Sequence, residues 1–452
     1  MRFDGCDPSV IRTLTNRAAG DRAYPMKDWR GCRRVAVATL GCKVNQCDTQ
    51  TLREGLAARG CQETADPHEA HLLIVNTCCV THHADRKSRQ AVRQAARLKR
   101  EGACLAAVGC YPGYDRQALA AIAGVDGVFS IAERPAFWSW VDGPLDVTRC
   151  AGQDGRFIGR TRAFLKIQEG CDNNCSYCVV PLVRGPSRSL PFDEVVAAGR
   201  RLVAAGHKEI VLTGVNLGAY RTSANGKVGL TGFIDALEGL PGLVRLRLSS
   251  IEAQDVTQDL IDRMAASSKL CPHLHIPFQS GDDGILEHMG KRLRVADYLD
   301  IIGRCRRAVP DLAVTCDVIV GYPVETAGSH LNTCRFLEEV EPLRTHLFTF
   351  SPRRGTRLAV TGIRFFDPRV VRERRLELEE LTHRLSLRCK RRFLGKRMDV
   401  LVEEKNGQDC AGYTPNYMRI FFKSGTCRVG EIHPIIFNQK ELTKNPADGI
   451  LA

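Results

Sequence analysis

The sequence predicts an α/β chain in three folded parts: an N-terminal parallel α/β sheet domain, a central open (β/α)6 partial barrel, and a small C-terminal all-β barrel. Three observations predict this. From about residue 34 to 130, short apolar runs alternate with helical patterns, as parallel strands with helices on their faces require. From 163 to 350, six further strand candidates alternate with helices, too few for a closed eight-stranded barrel. Beyond 397 only short strand patterns follow.

Taken in order, residues 1–33 lack periodicity and read as an extension, with Met26 an alternative start. The first domain covers 34–140. Its strands are expected at 35–40, 72–76 and 105–108, each followed by a turn, with helices at 49–59 and 85–100. A connector over 141–162 is punctuated by Gly143, Pro144, Gly152 and Gly155. The partial barrel, 163–368, places strands at 163–168, 209–213, 244–248, 273–277, 314–320 and 346–350. Its helices are expected near 193–205, 256–266, 295–308 and 332–340. A basic helical segment spans 369–397, with 11 Lys/Arg against 4 Asp/Glu. The last domain, 398–452, has strand candidates at 398–403, 411–413, 419–422 and 428–437.

Lys and Arg total 65 and Asp and Glu 51, a net charge of +14 that permits a polyanionic partner without requiring one. No run of 18 apolar residues is present, so no helix is expected to span a membrane. Residues 1–34 hold no apolar stretch of signal-peptide length. A cytoplasmic protein is expected, with its 20 cysteines kept reduced. Metal ligands, reactive thiols and small buried residues remain as readings. Cys305, Cys316 and Cys334 lie in helical or apolar patterns and read as core.

Six cysteines stand apart. Cys42, Cys78 and Cys110 each follow a strand of the first domain, where open α/β sheets place their ligands. Three cysteines at equivalent turns suggest one shared ligand. Cys171, Cys175 and Cys178 have the spacing C-x3-C-x2-C directly after a strand. Structural zinc takes four protein ligands, whereas three thiolates suit three irons of a cubane. The fourth iron would stay open to a small chelating molecule.

The segment Gly170-Cys171-Asp172-Asn173-Asn174-Cys175-Ser176-Tyr177-Cys178 resembles the signature of the radical S-adenosylmethionine superfamily. With its flank Val179-Val180-Pro181 and Arg184-Gly185-Pro186-Ser187-Arg188-Ser189 it is most similar to the methylthiotransferase branch. Thr39-Leu40-Gly41-Cys42-Lys43-Val44-Asn45-Gln46, Asn76-Thr77-Cys78-Cys79 and Ala107-Val108-Gly109-Cys110-Tyr111 match that branch in order. So do Leu212-Thr213-Gly214, Leu248-Ser249-Ser250-Ile251-Glu252, His275-Ile276-Pro277-Phe278-Gln279 and Cys316-Asp317-Val318. The opening around Cys42 looks most like the enzymes acting on threonylcarbamoyladenosine at tRNA position 37. Val324 and Leu182 depart from the family pattern, as do Cys47, Asp48 and Thr49, and none of these is a proposed ligand.

The resemblance implies a radical-SAM methylthiotransferase that adds a methylthio group to carbon 2 of the anticodon-loop adenosine. It implies two 4Fe-4S clusters, one on Cys171, Cys175 and Cys178 and one on Cys42, Cys78 and Cys110. The first would bind S-adenosylmethionine, with Gly214, Ser249 and Gln279 as candidates to line its pocket at barrel strand ends. Cys78, directly after Asn-Thr, is preferred to Cys79 as ligand, and Cys47 reads as a packed or surface thiol. The resemblance also makes the last domain an RNA-binding barrel, with Tyr413, Tyr417, Phe421 and Phe422 as candidate stacking surfaces and the basic helix as a phosphate contact. Two alternatives stay open: the same chemistry on another modified adenosine or a ribosomal protein, and a non-catalytic iron–sulfur or zinc RNA-binding protein.

Overall fold

Apolar residues fill both faces of the central strands in the first domain, and this places them between two helical layers. The computed structural model describes residues 34–142, 161–222, 228–361, 366–439 and 442. The expected extension, most of the connector and the last residues lie outside these. Strands β1 (Arg34–Thr39), β2 (Gln62–Glu63), β3 (Leu72–Thr77), β4 (Cys104–Gly109) and β5 (Gly127–Ser130) form one parallel sheet in the order β2-β1-β3-β4-β5. Every residue of β3 and β4 is buried. Helices α1 (Lys43–Ala57) and α4 (Arg134–Asp142) pack on one face through Leu52, Leu56, Phe137 and Trp138. Helices α2 (His82–Leu98) and α3 (Cys110–Ala120) cover the other through Val92, Tyr111 and Leu119.

Helix α1 begins six residues earlier than the apolar period suggests. Its first turns bury polar residues, Asn45, Asp48 and Thr49, against the second domain. A helix that buries charge on a neighbouring domain carries no apolar stripe to announce it.

The second domain has the six expected strands: β6 (Arg162–Lys166), β7 (Glu209–Thr213), β8 (Arg245–Leu248), β9 (His273–Gln279), β10 (Ala313–Val320) and β11 (Arg344–Thr349). They pair in parallel as β8-β7-β6 and β9-β10-β11, and single bridges Leu246–Leu270 and Ser250–His275 join the halves. The arc is open between β6 and β11. Helices α5 (Phe192–Ala204), α6 (Leu230–Glu238), α7 (Gln258–Ala266), α8 (Asp283–Met289), α9 (Val295–Ala308) and α10 (Ala327–Val340) line its outside. Aliphatic side chains such as Ile210, Leu212, Leu246, Leu274 and Val314 form the main core with them.

The basic segment is one long helix, α11 (Pro368–Arg391), which buries Leu378, Leu381, Leu385 and Cys389. Much of its charge is internally paired, as in Arg374–Glu325 (2.7 Å), Arg375–Glu379 (2.7 Å), Arg384–Glu380 (3.2 Å) and Arg388–Glu341. The free positive surface is therefore smaller than the residue count implies. The chain ends in β12 (Arg397–Asn406), β13 (Asp409–Tyr413), β14 (Arg419–Lys423) and β15 (Ile432–Ile436), an antiparallel sheet in the order β14-β13-β12-β15. Among the described residues its edges do not close into a barrel.

This sheet seals one end of the partial barrel. Arg247, fully buried, pairs with Glu209 at 2.7 Å and donates to the carbonyls of Pro415 (2.7 Å) and Thr414 (3.1 Å). Tyr413 and Tyr417 stack at 4.9 Å between centroids, and Arg162 lies over both rings. The expectation that these tyrosines offer faces to RNA is thus corrected: they face the barrel. Phe422 is buried against His433, and Phe421 carries the Arg419 guanidinium. Among the other cysteines, Cys305 and Cys316 are core as expected, whereas Cys334 is half-buried beside His330. The sulfurs of Cys410 and Cys427 lie side by side, because the strand pairing of β13 and β14 brings the two segments together. No helix among the described residues is long and apolar enough to cross a membrane.

Removing Arg247 would leave Glu209 buried without its main partner, at a cost of about 3–5 kcal/mol. Arg247→Ala is expected to lower the urea unfolding midpoint and to expose residues 397–439 to limited proteolysis at the barrel junction. Arg247→Ala protein with an unchanged midpoint and cleavage pattern would contradict this account.

Candidate metal centres

The three cysteines of the first domain converge because β1, β3 and β4 are adjacent and parallel, so their carboxyl ends lie side by side. Cys42 is the residue before α1, Cys78 directly follows β3, and Cys110 opens α3. Gly41 has φ +95°, and a Cβ there would stand 2.8 Å from Cys78 Cβ and 3.0 Å from its sulfur. Only glycine lets the first turn approach the second cysteine this closely. Cys79 lies instead in the apolar core of the sheet, with Val75, Val92 and Tyr111.

Asn45, which sequence reasoning quoted without a role, ties the three turns together. Its amide donates to Leu40 O (2.8 Å) and Thr77 O (2.9 Å), and its Oδ1 accepts from Cys110 Sγ (3.5 Å). The same oxygen accepts from Arg184, which belongs to the second cysteine motif. Burial raises the pKa of Cys78 to about 11, assisted by the charge of Cys42. Cys110 is raised still further, mainly by burial, while Arg184 opposes the shift.

The second triad lies on the loop after β6. Its course is set by Gly170, at φ +71°, where a Cβ would fall 2.0 Å from Pro186 O. Cys171 N donates to Gly185 O (3.1 Å), and Asn173 N donates to Cys171 Sγ (3.3 Å). Ser176 fastens the loop to α8 through Met289 O (2.9 Å) and His288 O (3.0 Å), and its hydroxyl meets that of Tyr322 at 2.9 Å. All three cysteines are partly buried. Burial pushes Cys178 up to about 12, and the neighbouring thiols add to the shift. Lys291 and Glu252, paired at 2.8 Å, stand near Cys175 and form one wall of the site. Glu252 was visible in the sequence as part of a matched string, but Lys291 had no signal.

Gly214, Ser249 and Gln279 occupy the carboxyl ends of the adjacent strands β7, β8 and β9. Two buried polar atoms there, Ser249 Oγ and Asn216 Oδ1, have no hydrogen-bond partner. Such atoms suit a polar ligand that completes their bonding. Gln279 has φ 71° where the β9–β10 ladder slips, a conformation that a non-glycine residue adopts at a cost of about 1–3 kcal/mol. The structure therefore places all three at one rim, beside the second triad.

Between the triads runs a buried charge network. Arg184 pairs with Glu169 (2.5 Å) and Asp48 (3.0 Å), and Lys166 pairs with both acids at 2.6 Å. Burial opposes ionisation of Asp48, yet Lys166, Arg184 and Arg134 hold its pKa near 2. Sequence reasoning noted Asp48 only as a departure.

Residues 34–130 match the uncharacterized protein family UPF0004, and residues 165–337 match the radical SAM superfamily. A threonylcarbamoyladenosine tRNA methylthiotransferase, MtaB, of Chlamydia pneumoniae is 35% identical over 384 residues, 85% of this chain and 90% of that one. The chain belongs to the radical S-adenosylmethionine methylthiotransferases. The MtaB of Bacillus subtilis is 34% identical, covering 88% and 92% of the two chains. The tRNA-2-methylthio-N(6)-dimethylallyladenosine synthase of Roseiflexus sp. is 32% identical, covering 89% and 87%. In fold, the chain is similar to a radical S-adenosylmethionine methyltransferase, TsrM, from Kitasatospora setae, solved with cobalamin and a 4Fe-4S cluster. That match has a TM-score of 0.53 at 15% identity and covers 73% of this chain and 77% of that one. Membership makes the chain a transferase and brings with it a 4Fe-4S cluster and S-adenosylmethionine as the superfamily's cofactors.

Thiols buried in this way stay protonated at neutral pH, so metal binding to them must release protons. In iron-free protein, alkylation of Cys78 should still accelerate as pH rises from 9.0 to about 11, because its pKa is raised over that interval. Mass spectrometry of iodoacetamide-treated protein reads this directly. A rate at Cys78 that levels off near pH 9.0 would contradict the burial argument.

Proposed function

We propose that the chain adds a methylthio group to carbon 2 of N6-threonylcarbamoyladenosine at tRNA position 37, in the cytoplasm, using two 4Fe-4S clusters. The observation that carries this reading is the meeting of two separate cysteine triads across one residue, Arg184. It follows the second triad by a short helix, Val180–Arg184, and reaches Asn45 beside the first. The printed names of the Chlamydia and Bacillus relatives support the choice of threonylcarbamoyladenosine.

Cys171, Cys175 and Cys178 would hold one cluster and Cys42, Cys78 and Cys110 the other, each triad leaving one iron without a protein ligand. When bound, the first with S-adenosylmethionine would supply one-electron cleavage of the sulfonium, the second would carry the inserted sulfur at its open site, and a second S-adenosylmethionine would supply the methyl group. Arg184 places a guanidinium beside the first triad, where it offsets part of the negative charge that Cys42 and Cys110 would carry as thiolates. Ser249 and Asn216 offer their unpaired oxygens to the S-adenosylmethionine side of the rim, and the Lys291–Glu252 pair bounds the same space. The sheet domain packs on the barrel where α1 meets β6, with Lys166 reaching Asp48 at 2.6 Å.

For tRNA, a cleft of about 360 Å³ between α2, α3 and the segment after β11 offers Arg89, Arg353 and Arg354 with Tyr111 and Tyr114. Arg354 lies 5.6 Å from the Tyr114 ring centroid and is largely exposed. Tyr111 and Arg353 are buried there, and Arg353 and Arg354 pair with Asp85 and Asp115, so the exposed Arg354 beside Tyr114 is what this cleft offers as a candidate RNA contact in place of Tyr413 and Tyr417.

In a deletion strain, tRNA hydrolysates should lose 2-methylthio-threonylcarbamoyladenosine and accumulate the unmethylthiolated nucleoside. Loss of a methylthio group from isopentenyladenosine instead would move the substrate. In vitro, replacing Cys171, Cys175 and Cys178 together by Ala should lower iron after anaerobic reconstitution from about eight to about four per chain and abolish deoxyadenosine formation. Persistent deoxyadenosine would sink the assignment of that triad.

A further inference from the structure

The wall of the barrel interior nearest the open side is polar. His275 on β9, Asp317 on β10 and His346 on β11 stand on neighbouring strands, and Asp317 lies opposite His346 in the ladder. Their ligating atoms lie within 4.8 Å of one another. His275 Nε2 is 3.3 Å from Asp317, and its Nδ1 is held by Thr315 Oγ1 at 2.9 Å. His275 is buried, and Asp317 and His346 are partly buried.

Lys43 enters this space from the other domain. It is the residue after Cys42, and its ammonium lies 5.7 Å from the Tyr417 ring centroid. That ring packs on His273 at 4.5 Å between centroids, and His273 shares Thr315 Oγ1 (3.0 Å) with His275 (2.9 Å), which links Lys43 to the cluster through Tyr417. Among the described residues, no carboxylate lies within ion-pair distance of Lys43. Asp317 is engaged by His275, and Glu209 by Arg247. A half-buried ammonium that faces a ring and has no carboxylate partner is costly beside an apolar ligand and favourable beside an anionic one.

We propose that Lys43 is the specificity residue that binds the carboxylate carried by the N6 substituent of the target adenine, in a pocket completed by His275, Asp317 and His346. This rests on the reading above that the substrate is threonylcarbamoyladenosine, whose substituent ends in a carboxylate and a hydroxyl. Elementary geometry supports the placement. On adenine, carbon 2 and carbon 6 flank N1 and carbon 6 bears N6, so the group that holds the N6 substituent must stand close to whatever delivers sulfur to carbon 2. Lys43 is the covalent neighbour of Cys42, a proposed ligand of the sulfur-delivering cluster. The imidazoles and Asp317 offer donors and an acceptor to the hydroxyl and the urea, while an isoprenoid substituent would strand these polar groups without partners.

The test uses full-length, anaerobically reconstituted enzyme and two anticodon stem-loops that differ only at the threonyl carboxyl: free acid and methyl ester. Wild type should prefer the acid by about 30-fold or more in kcat/KM, the effect of removing one partner of a buried charge pair. Lys43→Met should lose that preference, and Lys43→Arg should keep part of it, with iron content measured for each variant. Equal turnover of acid and ester by wild type overturns the inference while leaving the functional reading intact. So does a Lys43→Met enzyme with full iron that still prefers the acid. If wild type modifies neither stem-loop but does modify an isopentenyladenosine stem-loop, the functional reading falls and takes the inference with it.

Discussion

Four buried charges, Asp48, Lys166, Glu169 and Arg184, hold the sheet domain against the barrel, and the position of both cysteine triads depends on them. Burying such charges is expensive, and only near-complete mutual pairing makes it tolerable. The network alternates sign, two acids with two bases, and Asn45 accepts a further hydrogen bond from the Arg184 nitrogen that also donates to Asp48. Its directionality matters more than its net energy. An apolar interface would let the domains slide, whereas hydrogen-bonded ions accept one relative placement. That placement brings turns from β1, β3 and β4 over the loop that follows β6.

A second constraint is the parallel sheet itself. Adjacent parallel strands end at the same height, so three sequence-distant turns become neighbours without any long-range design beyond strand order. Glycine at position 41 and Asn45 then close the remaining distance. The barrel repeats the principle. Gly214, Ser249 and Gln279 share a rim because β7, β8 and β9 are consecutive in the arc. Both candidate centres thus lie at carboxyl strand ends, facing one another across the domain junction.

The antiparallel module at the chain's end contributes differently. Its β13–β14 turn presents backbone carbonyls to Arg245 and Arg247 and inserts Tyr417 among cations. Against the burial that would raise it, Lys43, Arg162 and Arg247 pull the Tyr417 phenol down to about 7. The module therefore serves as a floor to the barrel as well as an appended sheet, and its aromatic residues are spent on that contact.

The sequence by itself determined the fold class and the six barrel strands, and set six cysteines apart as candidates, because each is written in local pattern: apolar runs of strand length, turn residues and short motif spacing. It also pointed to the strand-end position of Cys42, Cys78 and Cys110, since the residue after a strand is legible once the strand is. What it could not hold was any property that depends on two distant segments meeting. The early start of α1 was hidden because its first turns bury Asn45 and Asp48 on another domain. The roles of Arg184, Lys291 and Lys43 were hidden because a cation on a surface and a cation in a junction look alike in sequence. The fate of Tyr413 and Tyr417 was likewise open, since a ring packs equally well on RNA or on a buried guanidinium. Tertiary structure decided these, because burial and partner identity are what set the energy of a charge or a ring, and neither exists before the chain folds.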